Sequence, residues 1–173
     1  HIATDYARLY FVFPEKFWTN WQFFNIAPYQ NNRCSTWQNL DVAGFYPGSK
    51  TMFLTCTSPN AEPLLGLSDQ QYIDMFMPDL RKVFGDDIPD PVVVKAFGWA
   101  GNDATRGGYS AISPTVKPSD FEAVAAWGND KDFYYAGEAS CQALWGYVHG
   151  AAESARYQYC VHKNDGTDCK ADN

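Results

Sequence analysis

The residues from Phe133 to Ala155, FYYAGEASCQALWGYVHGAAESA, hold the densest set of groups with chemical potential in the chain. The apolar run Phe133–Ala136 reads as a buried strand that delivers Gly137 and Glu138 to its carboxyl end. Carboxyl ends of strands are where open mixed sheets place their ligands. A short loop then leads to a helix predicted from about Gly146 to Val161. The first turn of a helix presents N–H groups without intrahelical partners and the positive end of the helix dipole, a receptor for an anionic group. Gly146 and Gly150 leave room for a flat group to approach the backbone. On these residues alone, a ligand-binding turn and a merely well-packed glycine-rich unit both remain open.

Other reactive residues carry less. Cys160, His162 and Cys169 offer three zinc-type ligands, but their spacing is poor for a standard site. His1 with a free amino group offers two nitrogens for copper, but such a site needs a second histidine and a wholly different fold pattern. No GxSxG elbow, HExxH pair or P-loop occurs. No metal is expected.

These groups need a scaffold. A length of 173 residues suits one ordinary domain with a real core. With 46% hydrophobic and 19% charged residues, wholesale disorder is excluded. Aromatics reach 17%, which favours ring-lined surfaces as well as a core. There are 13 basic and 20 acidic residues, a net charge of −7, so a basic nucleic-acid face is not expected. No apolar run approaches the roughly 18–20 residues of a membrane helix. No signal peptide or lipidation motif is seen, and His1 in place of Met suggests a processed or trimmed chain.

Asp5–Phe13 reads as a strand stopped by Pro14. Phe17–Phe24 is an aromatic stretch. Two strand-like runs, Arg33–Gln38 and Thr51–Thr57, flank a turn-rich segment and predict a hairpin centred near residue 45. Ser68 and Gln71 fit a capping box that opens a helix, with Tyr72, Phe76, Leu80 and Val83 at helical spacing. Pro78 is expected to kink or split that helix, and Gly85 to end it. Val92–Trp99 reads as a strand, 101–118 as a loop and Phe121–Trp127 as a short helix. Strands, helix, strand, then strand and helix give an α+β (mixed) class: an antiparallel-rich sheet with flanking helices.

The five cysteines divide by position. The hairpin puts Cys34 opposite Cys56, close enough for a cross-strand bridge. Cys160 and Cys169 can close a short loop, leaving Cys141 free. Two bridges fit an oxidising compartment, hence a secreted or lumenal location. Five free thiols in a cytosolic protein are the alternative.

The stretch Ala136-Gly137-Glu138-Ala139-Ser140, followed by Gly146-Tyr147-Val148-His149-Gly150-Ala151, resembles the closing flavin motif of the FAD-dependent amine oxidases, above all the polyamine-oxidase-like branch. Three more blocks are similar and in the same order. They are Phe13-Pro14-Glu15-Lys16-Phe17-Trp18, then Leu80–Gly85 with Ile88-Pro89 and Pro91, then Trp99 with Arg106-Gly107-Gly108-Tyr109-Ser110. The likeness spans roughly residues 8–155 and covers the carboxyl-terminal part of such an enzyme. It implies a substrate-binding-lobe-like region over 1–95, a segment returning to the FAD lobe over 96–163, and a polar tail over 164–173. The family's GxGxxG turn for the FAD pyrophosphate is nowhere in this sequence. The chain is therefore expected to be a fragment, a processed subunit whose partner chain carries the amino-terminal FAD-binding part, or a truncated relative.

The resemblance also assigns roles. Tyr109 and Tyr147 would be the two rings flanking a substrate amine. Gly137, Glu138, Ala139 and Ser140 would hold the ribityl-phosphate arm of FAD. The turn at Gly146, with the N–H groups of Tyr147 and Val148, would meet the flavin's pyrimidine edge. Covalent members carry a cysteine where this chain has Gly108, so FAD would be non-covalent, and bound only if the missing Rossmann part is supplied. His149 belongs to the structural pattern rather than to a base. Arg8 stands where the branch usually has a lysine that holds a water near the flavin; arginine is forked and not readily deprotonated. The implied function is oxidation of an amine C–N bond with oxygen as acceptor, the isolated chain being inactive. Arg8 and the absent pyrophosphate turn leave a non-catalytic binding or structural protein as the alternative. No nucleic acid or membrane partner is implied.

Overall fold

Strict alternation along Tyr6–Val12 sends Ala7, Leu9 and Phe11 to one face, where all three are fully buried, and Tyr6, Arg8 and Tyr10 to the other. That strand is the centre of the fold. The computed structural model describes residues 2–27, 34–99, 101–126 and 133–164. The strands are β1 (Ile2–Thr4), β2 (Tyr6–Val12), β3 (Phe23–Asn25), β4 (Thr36–Asn39), β5 (Thr51–Thr57), β6 (Val93–Gly98) and β7 (Tyr109–Ala111). The helices are α1 (Asp69–Phe84), α2 (Pro118–Ala126) and α3 (Val148–Asn164), with 3-10 turns at Glu62–Leu64 and Glu138–Ser140. The chain divides into two compact units, Thr4–Gly108 and His1–Ala3 with Tyr109–Asn173. The boundary drawn from sequence after residue 95 falls inside β6. The polar tail begins with the last residue of α3 and otherwise lies outside the described residues.

In the first unit, five strands form an antiparallel sheet in the order β3-β4-β5-β2-β6. The class expected from sequence, α+β with an antiparallel-rich sheet, is the observed one. Leu9 pairs with Leu54 and Ala96, and Phe11 with Met52 and Val94, so the apolar face is continuous across three strands. Tyr72, Phe76, Met77 and Leu80 of α1 are buried in the same cluster as these strand residues. Trp37 stacks between Phe24 and the Phe11 and Phe76 rings.

The capping box at Ser68 and Gln71 is present as expected. Pro78 does not split the helix: α1 runs through it from Asp69 to Phe84. Pro78 is on the exposed side of the helix, and so is Asp74, whose carbonyl loses its amide partner. Water can satisfy that carbonyl while the buried face keeps the helix continuous.

The hairpin is also observed. Thr36 pairs with Thr55 and Asn39 with Met52, which centres it on Phe45 and Tyr46. Cys34 and Cys56 form a disulfide with Cα atoms 4.9 Å apart. The bridge closes a loop of 22 residues. Replacing both cysteines by serine is expected to lower unfolding free energy by about 3 kcal/mol, from loop-closure entropy. Urea denaturation with and without reductant measures this. Cys160 is also disulfide-bonded, and Cys141 is a buried free thiol. Cys169, the expected partner of Cys160, lies outside the described residues.

Asp41 organises the hairpin loop. Its carboxylate accepts the Gly48 N–H at 2.7 Å and the Lys50 N–H at 2.8 Å, with the Lys16 ammonium 3.9 Å away. Burial would raise its pKa, but the two backbone bonds and the lysine charges outweigh burial and lower it. A depressed carboxylate adds stability above the unfolded pKa of about 3.9 and loses it as pH falls through the folded value. Asp41→Ala is therefore expected to cost about 2 kcal/mol at pH 7 and to shrink the acid-induced loss of stability, read from thermal melts between neutral and acid pH.

Candidate functional site

Glu138 is the hub of the second unit. One carboxylate oxygen accepts the Gly146 N–H at 2.7 Å, and the other accepts the Ser110 hydroxyl. Ser110 follows Tyr109 on β7, and Gly146 precedes Tyr147 at the entry to α3. A single carboxylate thus bonds the residue next to each of the two predicted ring residues, Ser110 through its hydroxyl and Gly146 through its N–H. Around it, the Gly137 N–H donates to the Ser154 hydroxyl at 2.8 Å, and that hydroxyl donates to the Ala151 carbonyl at 2.9 Å. The Ser140 hydroxyl donates to the Gly137 carbonyl at 2.9 Å. The 3-10 turn Glu138–Ser140, carrying Ala139, is thereby anchored onto α3.

The turn into α3 is set by glycine. A Cβ on Gly150 would lie 2.0 Å from the Leu144 carbonyl oxygen, so the loop packs against bare backbone. Tyr147 is exposed, and its ring stacks on His149 with centroids 5.1 Å apart. His149 thus supports the tyrosine ring. Val148 is almost wholly exposed. As the first residue of α3, its N–H has no intrahelical acceptor. The Tyr147 N–H already donates to the Leu144 carbonyl at 3.3 Å. Of the two amides expected at an anionic edge, Val148 is the one left open by position.

One expectation is overturned. Phe133–Ala136 is not a buried strand; Phe133, Tyr135 and Ala136 are exposed. A strand exists only through a ladder partner, and none pairs with these residues among those described. Glu138 is still delivered to the α3 entry, but by hydrogen bonds to Ser110 and Gly146 rather than by a sheet. Ser154 had no signal in the sequence, because serine inside a helix usually faces solvent or its own backbone.

Arg8 belongs to the other unit. It sits on β2 between Tyr6 and Tyr10, its guanidinium 5.7 Å from the Tyr6 ring centroid and 5.1 Å from that of Phe53. Burial works against its charge, yet hydrogen bonds with the Tyr6 and Tyr10 hydroxyls outweigh burial and raise its pKa. At Gly108, an added Cβ would meet the Cβ of Tyr6 at 2.5 Å, so no cysteine for a covalent link could stand there without displacing β2. Among the described residues no cluster suits a metal ion, and no helix is long and apolar enough to cross a membrane.

The first unit thus offers a five-stranded antiparallel sheet backed by a helix, and the second a glycine turn whose helix start meets a clamped glutamate. Comparison with known proteins identifies the family. Residues 3–158 match the family described as flavin containing amine oxidoreductase, and the chain belongs to that family. It is 27% identical over 150 residues to polyamine oxidase 1 of Zea mays, covering 84% of this chain and 29% of that protein. It is 29% identical over 160 residues to histone demethylase-like protein A of Aspergillus fumigatus, covering 83% and 14%. Its fold is similar to that of cyclohexylamine oxidase from Brevibacterium oxydans, with a TM-score of 0.62 at 16% identity over 94% of this chain and 35% of that one. The chain thus spans less than a third of the maize enzyme it matches.

Proposed function

We propose that this chain is the carboxyl-terminal portion of an FAD-dependent amine oxidase acting on a polyamine or a related amine, in a secreted or lumenal setting. The observation that carries the reading is the Glu138 clamp, whose carboxylate accepts the Ser110 hydroxyl and the Gly146 N–H, the residues next to Tyr109 and Tyr147. The overall reaction removes two electrons and two protons from an amine C–N unit to give an imine, and oxygen takes them up as hydrogen peroxide.

The residues present fit part of a flavin. The α3 entry is open, its first N–H is unpaired by position, and Tyr147 and Val148 stand exposed beside it. The Val148 N–H would hold the ring's pyrimidine edge, and Gly137, Ala139 and Ser140 would lie along the ribityl arm. When bound, the flavin supplies the hydride acceptor. Both Glu138 oxygens already accept hydrogen bonds within the unit, which makes Glu138 a positioning residue for the site. Tyr109 and Tyr147 would wall the amine slot, exclude water and favour the neutral amine that gives up hydride. The pyrophosphate cradle must come from residues outside this sequence, since no GxGxxG is present.

A panel of spermidine, spermine and simple alkylamines tests the reading on the complete protein. Peroxide release with at least one amine is expected. No peroxide with any of them would favour a non-catalytic member of the family.

A further inference from the structure

Two segments of the first unit border a cavity of about 540 Å3. The stretch 16–22 contributes Lys16, Asn20 and Gln22, and the hairpin loop contributes Asp41, Phe45 and Pro47. That volume lies within the range of small-molecule sites.

One buried side chain fixes both walls. Asn39 is fully buried. Its amide nitrogen donates to the Trp21 carbonyl at 2.9 Å and to the Thr19 carbonyl at 3.4 Å, and its amide oxygen accepts the Asp41 N–H at 2.8 Å. Lys16 adds a second tie. Its ammonium donates to the Asn20 side-chain oxygen at 2.9 Å and to the Asp41 carbonyl at 2.8 Å. The cavity is thus preformed, and little ordering remains to oppose binding.

The charges in the lining offset each other. Lys16 and Asp41 lie 3.9 Å apart, and no other charged residue lines the cavity. The Asp41 carboxylate already accepts the N–H groups of Gly48 and Lys50, one on each oxygen, so it has little to offer a cation. The Lys16 ammonium is held between two oxygens with Asp41 beside it, which weakens its pull on an anion. What stays open is neutral. The Asn20 amide nitrogen and the Gln22 side-chain amide hold no hydrogen bond with any described residue, and both residues are exposed. Phe45 is exposed as well and gives the lining its ring. Neutral amides beside an aromatic face suit a ligand with hydroxyl groups around an apolar C–H face, which is the chemistry of a pyranose.

We propose that this cavity binds a neutral saccharide, with a sugar face against Phe45 and hydroxyls on Asn20 and Gln22. None of these residues is assigned to the flavin or the amine, so the inference does not rest on oxidase activity and is read by binding alone.

Cellotriose is the probe, because its equatorial hydroxyls leave a flat C–H face on each ring. Titration of the full chain, read by ligand-observed NMR, is expected to give a dissociation constant on the order of 1 mM that does not change with salt. Phe45→Ala should weaken binding about tenfold, through the lost apolar contact. Asn20→Asp keeps the acceptor for Lys16 and loses the donor, and should weaken binding about fivefold. Tyr46→Ala removes a neighbouring exposed ring outside the lining and should change nothing. All three positions are exposed, so circular dichroism of the variants should match the wild type. Trimers of glucosamine and of glucuronate with the same linkage should bind no tighter than cellotriose. No binding of cellotriose, tighter binding of either charged trimer, full affinity in Phe45→Ala, or an equal loss in Tyr46→Ala would each overturn the proposal.

Discussion

In the complete enzyme, Tyr147→Ala is expected to lower kcat on the order of 100-fold while leaving thermal stability almost unchanged. The two halves of that result have separate causes. Tyr147 is 59% exposed and touches His149 rather than the core, so its removal leaves no cavity. If its ring walls the amine slot, its loss loosens the reacting C–H, and misplacement of that kind costs about 10²-fold. If the two rings form one slot, Tyr109→Ala should act likewise, and the double variant should fall short of the product of the two. Steady-state kinetics on the four proteins reads the coupling directly. Full activity in Tyr147→Ala would mean that the amine approaches from elsewhere.

Glu138→Ala is expected to reduce both turnover and stability. The Gly146 N–H and the Ser110 hydroxyl lose a charged acceptor at once. Bonds to a carboxylate contribute about 1.5–3 kcal/mol when removed, and solvent access at this half-buried group places the effect at the lower end. In the complete enzyme, release of Gly146 and Ser110 frees the backbone of both tyrosines, so kcat should fall between about 10-fold and 100-fold. Glu138→Gln keeps one acceptor oxygen and should recover part of each loss. Hydrogen exchange at the Gly146 amide gives a readout independent of activity. It should accelerate in Glu138→Ala, and accelerate less in Glu138→Gln.

Much of the first unit was legible because its signals are local or periodic. The alternation of Tyr6–Val12 fixes which residues face the core, and the capping box fixes where α1 begins. The Cys34–Cys56 pair followed from the symmetry of two strand runs about a turn. The failures share a physical reason as well. Three-residue strands such as β1, β3 and β7 carry too few residues to show a period, and only their partners define them. Phe133–Ala136 has the composition of a buried strand and is not a strand of either sheet, so composition alone misled. Pro78 follows the same logic in reverse: its local cost is real, and packing of Tyr72, Phe76, Met77 and Leu80 outweighs it.

At the site, the motif residues were visible and their wiring was not. Glu138 was expected to reach toward a cofactor arm; its oxygens instead bond Ser110 and Gly146, a pairing across 28 residues for the serine that no spacing rule encodes. Arg8 was visible as an unusual residue. Its cradle of Tyr6, Tyr10 and Phe53 requires the register of β2 against β5, which only the folded sheet supplies.

The most direct test of the central claim is the visible spectrum of the native protein purified from its source, recorded anaerobically before and after adding spermidine or another active amine. The account predicts a yellow protein larger than the 19.5 kDa of this chain, whose flavin absorbance bleaches with the amine and returns with oxygen. A colourless protein of 19.5 kDa, or a flavin that no amine bleaches, would contradict it.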